Sequence, residues 1–184
     1  MTGCVMVVVY LAEGFELIEA LTPADYLKRA GIEVKMASIA AKNVKSSCGV
    51  EVAADMAAAD VDHSAVEAIV LPGGMPGAAN LAADAAVADA IDKAVAGGRT
   101  VAAICAAPAL VLGARGLLRE RSATCYPSFR KELNCKEYLM QSVVYDAPFL
   151  TGRAAGAASE FSTRLIEILR GKEAAQKVMR DLCL

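Results

Sequence analysis

The sequence predicts an α/β fold, a mostly parallel sheet with helices on both faces. Three observations predict it. Residues 4–10 form a continuous apolar run, the pattern of a central strand covered on both sides. Two more short apolar runs, "EAIVL" and "TVAAI", end abruptly, one at a proline and two glycines and the other at Cys105. Helical patterns separate these runs, and strands alternating with helices imply βαβ units.

Taken in order, residues 15–30 read as a helix that Pro23 should break or restart, with Thr22 capping the second part and Gly31 ending it. "EVKMASI", residues 33–39, is a second strand, and "KNVKSSCGVEV" suggests a turn and a short hairpin. After "EAIVLPGG", the segment "MPGAANL" makes a turn and a short helix. An alanine-rich helix over 84–96 closes at Gly97 and Gly98. "TVAAI" is a strand, Cys105 a turn, and 107–115 a helix. Short strands are expected near 122–125, 142–146 and 148–151, followed by helices over 157–170 and 172–182 around Gly171.

The chain of 184 residues reads as one domain, 1–184, large enough to fold around its own core. Its hydrophobic fraction of 56% owes much to 38 alanines, which let helices sit close to a sheet. No apolar run reaches the roughly 18 residues of a membrane span, so no membrane association is expected. A net charge of -2 with interspersed acids and bases leaves no electrostatic footprint for nucleic acid. Six cysteines without a recognisable signal peptide point to free thiols and a cytoplasmic location. With no CxxC pair and His63 as the sole histidine, no metal is expected. No GxGxxG follows a strand, so no nucleotide cofactor is expected either.

In open parallel sheets, ligands bind beyond the carboxyl ends of the strands. Three features fall there. Cys105 sits where a strand becomes a helix. It is either a small core filler or a nucleophile held on a turn, its thiol pKa lowered by the helix N-terminus. Gly73 and Gly74 let backbone amides approach a ligand, and with the Ala106 amide one of them can form an oxyanion hole. The loop after the first strand offers Glu13, Glu16 and Glu19. A carboxyl group beside a thiolate would have its pKa raised, and it can serve as acid or base.

Four ordered segments, "AEGFELIEALTPADYLKRAGIEV", "VLPGGMPGAANL", "VAAICAAPALVL" and "TGRAAGAASEF", carry a resemblance over nearly the whole chain. Together they resemble the ThiJ/PfpI superfamily, and within it the branch of the Parkinson-disease-associated protein deglycase. The resemblance implies a flavodoxin-like three-layer sandwich and a homodimer. It implies that Cys105 is the reactive cysteine, that Glu19 is the protonated glutamate beside it, and that Gly74 and Ala106 are the backbone donors. The implied activities are cofactor-free conversion of methylglyoxal to lactate, repair of glycated proteins, and peroxide sensing or redox-regulated chaperone action through the cysteine.

The chain also departs from the pattern. Tyr126 stands in "TCYP" where many relatives place a histidine, and Ala106 stands where the protease-like branch has one, which disfavours a peptidase. "AAG" replaces the family's "GPG" at Ala154 to Gly156, and Cys48 occupies a position where some relatives have arginine. Arg153 matches a basic position, and the resemblance implies that it can contact an anion. Thiazole-phosphate or thiamine biosynthesis, a label attached to many relatives, finds no phosphate-cradling loop here. The expected pocket thus comprises Cys105, Glu19, Gly73, Gly74, Ala106, Tyr126 and Arg153, acting on a small α-oxoaldehyde or a glycated protein.

Overall fold

The computed structural model describes residues 5–184. The strands are β1 (Met6–Leu11), β2 (Glu33–Ser38), β3 (Asn43–Lys45), β4 (Glu51–Ala53), β5 (Met56–Ala57), β6 (Val66–Leu71), β7 (Thr100–Ile104), β8 (Ser122–Ala123), β9 (Glu137–Tyr138), β10 (Val143–Asp146) and β11 (Phe149–Gly152). The helices are α1 (Leu17–Arg29), α2 (Gly77–Ala83), α3 (Ala85–Ala96), α4 (Ala158–Arg170) and α5 (Lys172–Asp181).

Seven strands form the central sheet in the order β10-β11-β7-β6-β1-β2-β5. Every pairing is parallel except β10 with β11, which are joined by a tight antiparallel turn. The sheet is covered on both faces, as the unbroken apolar runs require. Val7, Val9 and Leu11 of β1 pack with Leu27, Phe161 and Leu165 on one face. Val8 and Tyr10 pack with Ile91, Leu112 and Leu81 on the other. The alternation follows from the two-residue repeat of a strand, which sends successive side chains to opposite layers. This is the flavodoxin-like three-layer sandwich.

Most expected elements are present, including the β3–β4 hairpin. Cys4, the first residue of the expected strand 4–10, lies outside the described residues. Pro23 does not break α1, which runs uninterrupted from Leu17 to Arg29. The proline withholds only the N–H that would bond the Glu19 carbonyl. Burial of Ala20, Pro23, Ala24 and Leu27 against the sheet and α4 carries the helix across that gap. Thr22 is therefore mid-helix, and the capping residue is Glu16, whose side chain accepts from the Glu19 amide.

The segment expected as an α-helix over 107–115 is instead a short π-helix, Pro108–Gly113. Its later bonds span five residues, from the Ala114 amide to the Ala109 carbonyl and from Leu117 to Leu112. Gly113 explains part of this close fit, since a Cβ there would lie 2.3 Å from the Leu133 carbonyl oxygen. The two-residue strands β5 and β9 carry too little pattern to be read from sequence.

Candidate active site

Strand order reverses direction of growth beside β1: the chain leaves β1 for β2 on one side and returns to β6 on the other. The carboxyl ends of β1 and β6 therefore diverge in topology and open a crevice, the usual ligand position in such sheets. β1 leads to Glu16 and Glu19, β6 to Gly73 and Gly74, and neighbouring β7 to Cys105.

Cys105 has φ 66°, a left-handed conformation rare for a residue with a side chain. Both its backbone groups are tied down. Its N–H donates to the Gly152 carbonyl at 2.9 Å, and its carbonyl accepts from the Tyr126 N–H at 2.8 Å. Bonds from two other segments hold the strained turn, as expected of a nucleophile placed on a sharp strand exit. The thiol is half-buried.

Glu19, on the first turn of α1, is 0% exposed. Its Oε2 accepts from the Gly73 N–H at 2.9 Å, while Oε1 is buried without a hydrogen-bond partner. The Cys105 thiol lies close enough to favour the ionised carboxyl. Burial nevertheless dominates, and with the like charge of Glu16 it pushes the Glu19 carboxyl up to about 7.

Gly73 is the hinge of the arrangement. A Cβ on it would lie 2.7 Å from the Cβ of Cys105, 2.8 Å from Glu19 Oε2 and 3.0 Å from the Ala106 nitrogen. Gly74, at φ 84°, is pressed equally hard against the α1 entry, where a Cβ would lie 2.4 Å from the Glu16 nitrogen. Side chains at either position would separate the three strand ends. The amides of Gly74 and Ala106 both approach the Cys105 sulfur and favour its thiolate.

The expectation of a lowered Cys105 pKa is corrected. Burial, and then the neighbouring Glu19 charge, push the thiol up to about 12 against the pull of those two amides. No long helix begins here to offset them, because the following segment is the six-residue π-helix. Glu19, at about 7, therefore gives up its proton well before Cys105, at about 12, and between those values the two groups hold one proton. When that proton sits on Glu19, the charge opposing the thiolate is gone.

The remaining expected residues are placed as follows. Tyr126 meets Cys105 through its main chain, while its side chain is 44% exposed and tilted against Phe129. Arg153 directly follows Gly152, the acceptor of the Cys105 amide, and its own N–H donates to the Ser142 carbonyl at 2.8 Å. Its guanidinium forms no ion pair among the described residues. A separate groove of about 470 Å³, lined by Tyr145, Thr163, Arg164 and Met179 among others, contains none of these residues. Among the described residues, no three His, Cys, Asp or Glu side chains converge to hold a metal.

The sequence undervalued Glu16. Its spacing of three from Glu19 marked a shared helical face, but the capping contact between them follows from where α1 begins.

The family model described as "DJ-1/PfpI family" matches residues 5–168. The chain belongs to the DJ-1/PfpI family. It is 38% identical to Protein dj-1beta of Drosophila melanogaster over 95% of this chain and 94% of the relative. It is 32% identical to the glutathione-independent glyoxalase DJR-1.2 of Caenorhabditis elegans, over 94% and 92% of the two chains. Protein DJ-1 homolog B of Arabidopsis thaliana is 37% identical over 97% of this chain, which spans only 41% of that longer relative. Among solved structures, oxidized Toxoplasma gondii DJ-1 superposes with a TM-score of 0.93 at 37% identity, covering 97% of this chain and 98% of that one. No helix of the described residues of this DJ-1/PfpI member is long and apolar enough to cross a membrane.

Proposed function

We propose that the protein is a cofactor-independent glyoxalase or protein deglycase, with Cys105 as nucleophile and Glu19 as proton carrier. The observation that carries this reading is the Gly73 contact. One glycine brings a buried carboxyl, with its proton affinity raised to about 7, against a strained half-buried cysteine. The glyoxalase name of the Caenorhabditis elegans relative supports the reaction class.

The Cys105 thiolate adds to the aldehyde carbon of methylglyoxal, and the carbonyl oxygen becomes an oxyanion facing the Gly74 and Ala106 amides. Glu19 gives its proton to that oxygen, producing a hemithioacetal. The resulting carboxylate takes the hydrogen of the former aldehyde carbon as a proton, leaving an enediolate. Returning that proton to the adjacent carbon, while the hydroxyl proton passes from the first oxygen to the second, gives a lactoyl thioester on Cys105. Water cleaves the thioester, releases lactate and restores the thiol. Methylglyoxal plus water becomes lactate, with no external redox partner. The same addition, started on a glycated side chain, would free the amine or thiol it carries.

A second reading is favoured by the unpartnered Glu19 Oε1. Peroxide oxidises the Cys105 thiolate to a sulfenate and then a sulfinate, and protonated Glu19 donates to an oxygen on sulfur. Here Cys105 is a sensor rather than a turnover residue.

Self-association as a homodimer is supported by exposed Ile18 and Leu21 on α1, Val50 in the hairpin turn and Met75 beside Gly74. Free Cys48, Cys105, Cys125, Cys135 and Cys183 suit a reducing, cytoplasmic setting.

The test is methylglyoxal turnover with the two lactate enantiomers resolved, alongside mass analysis of Cys105 after graded peroxide. Turnover abolished by Cys105→Ala supports the enzyme. Negligible native turnover with stoichiometric sulfinate on Cys105 supports the sensor.

A further inference from the structure

Three hydrogen bonds close a ring under the reactive pair. The Glu16 N–H donates to the Gly73 carbonyl at 3.0 Å. The Gly73 N–H donates to Glu19 Oε2 at 2.9 Å, and the Glu19 N–H donates to Glu16 Oε2 at 2.9 Å. Glu16 thus grips both the loop that supplies the donor and the residue that receives it.

We propose that Glu16 is a positioning residue, whose carboxylate fixes where the Glu19 carboxyl sits beside Cys105. The inference rests on the reading of Glu19 as proton carrier for Cys105. Two effects act together. As the cap of α1, the Glu16 side chain satisfies an amide that would otherwise be orphaned at the helix start, so the first turn carrying Glu19 is pinned. As a half-exposed negative charge within the same turn, it opposes ionisation of Glu19, in the direction that burial already sets.

The groups acting on Glu19 are the Cys105 thiol, the Gly73 amide and Glu16, and Cys48 of the hairpin turn feels the Glu16 charge. Among the described residues neither glutamate is salt-bridged to a Lys, Arg or His.

The test compares Glu16→Gln, Glu16→Ala and Glu19→Gln with the native protein. Mass-mapped iodoacetamide labelling of Cys105 across pH is measured beside methylglyoxal turnover. Glu16→Gln retains a capping oxygen but not the charge, so the labelling midpoint should move to lower pH by roughly half a unit. Glu16→Ala loses both, and should combine that movement with a fall in turnover of about tenfold or more. A Glu16→Gln midpoint equal to the native one, or Glu16→Ala turnover at the native level, overturns the inference while leaving Glu19 in place if Glu19→Gln is inert. Native turnover in Glu19→Gln overturns the reading beneath it.

Discussion

The amide of Gly73 donates to Glu19 Oε2 at 2.9 Å, and the side chain that Gly73 lacks is what allows Cys105 to close from the other side. That relationship joins the ends of β1, β6 and β7 into one chemical unit. It also makes a backbone position, rather than an acid or a nucleophile, the most demanding residue of the site.

Gly73→Ala should therefore fold and fail. The new methyl would lie 2.7 Å from the Cys105 Cβ and 2.8 Å from Glu19 Oε2, so one of them must move. Displacement of this size around reacting groups costs about a hundredfold in rate. Steady-state methylglyoxal kinetics with a circular dichroism control would check this. Native turnover would show that the three groups do not work at this spacing.

Glu19→Gln should lower turnover by roughly two to four orders of magnitude, because the amide can donate a hydrogen bond but cannot carry a proton. Substrate binding should change much less. A loss confined to KM would point to a binding role for Glu19.

Stability should depend on pH through Glu19. Its carboxyl binds a proton more tightly in the fold, about 7, than at its ordinary value of 4.5. The resulting stabilisation is fully present below about pH 4.5 and is lost as pH rises through about 7, a loss on the order of 3 kcal/mol. Urea unfolding of native and Glu19→Gln protein at pH 5 and pH 8 measures the difference. The native protein should lose more stability between those values than the variant, and equal slopes would contradict a buried titrating carboxyl.

Tyr126→Ala should change stability by no more than about 0.5 kcal/mol, since its link to Cys105 is the main-chain N–H that alanine keeps. Tyr126→Pro, which removes that N–H, should destabilise the Cys105 turn and sharply reduce labelling selectivity. Thermal unfolding of both variants distinguishes the two contributions.

Much of this was legible in the sequence for physical reasons that can be named. The apolar runs at β1, β6 and β7 are long enough to demand cover on both faces, so the sheet and its strand ends could be placed. Cys105, the Gly73–Gly74 pair and the loop carrying Glu13, Glu16 and Glu19 then fell at those ends, and the family resemblance singled out Glu19 among the three. Pro23 misled because local backbone chemistry argues for a break, whereas burial of one helical face against the sheet decides the outcome. The π-helix after Cys105 was hidden because its spacing depends on close packing of Gly113 against Leu133, a contact twenty residues away in the chain. The raised thiol followed from depth, which residue order does not record.

The central claim is that Cys105 and Glu19 form one acid–base unit that shares a single proton above about pH 7. The direct measurement is the pH dependence of Cys105 alkylation, mapped by mass so that exposed Cys48, whose thiol is pulled down by Ser46 and Val50, is counted separately. In the native protein, labelling of Cys105 should rise through about pH 7, where the pair gives up its first proton, and Glu19→Gln should abolish that step. A native Cys105 profile with a single rise near the ordinary thiol value, about 8.5, and unchanged by Glu19→Gln, would contradict it.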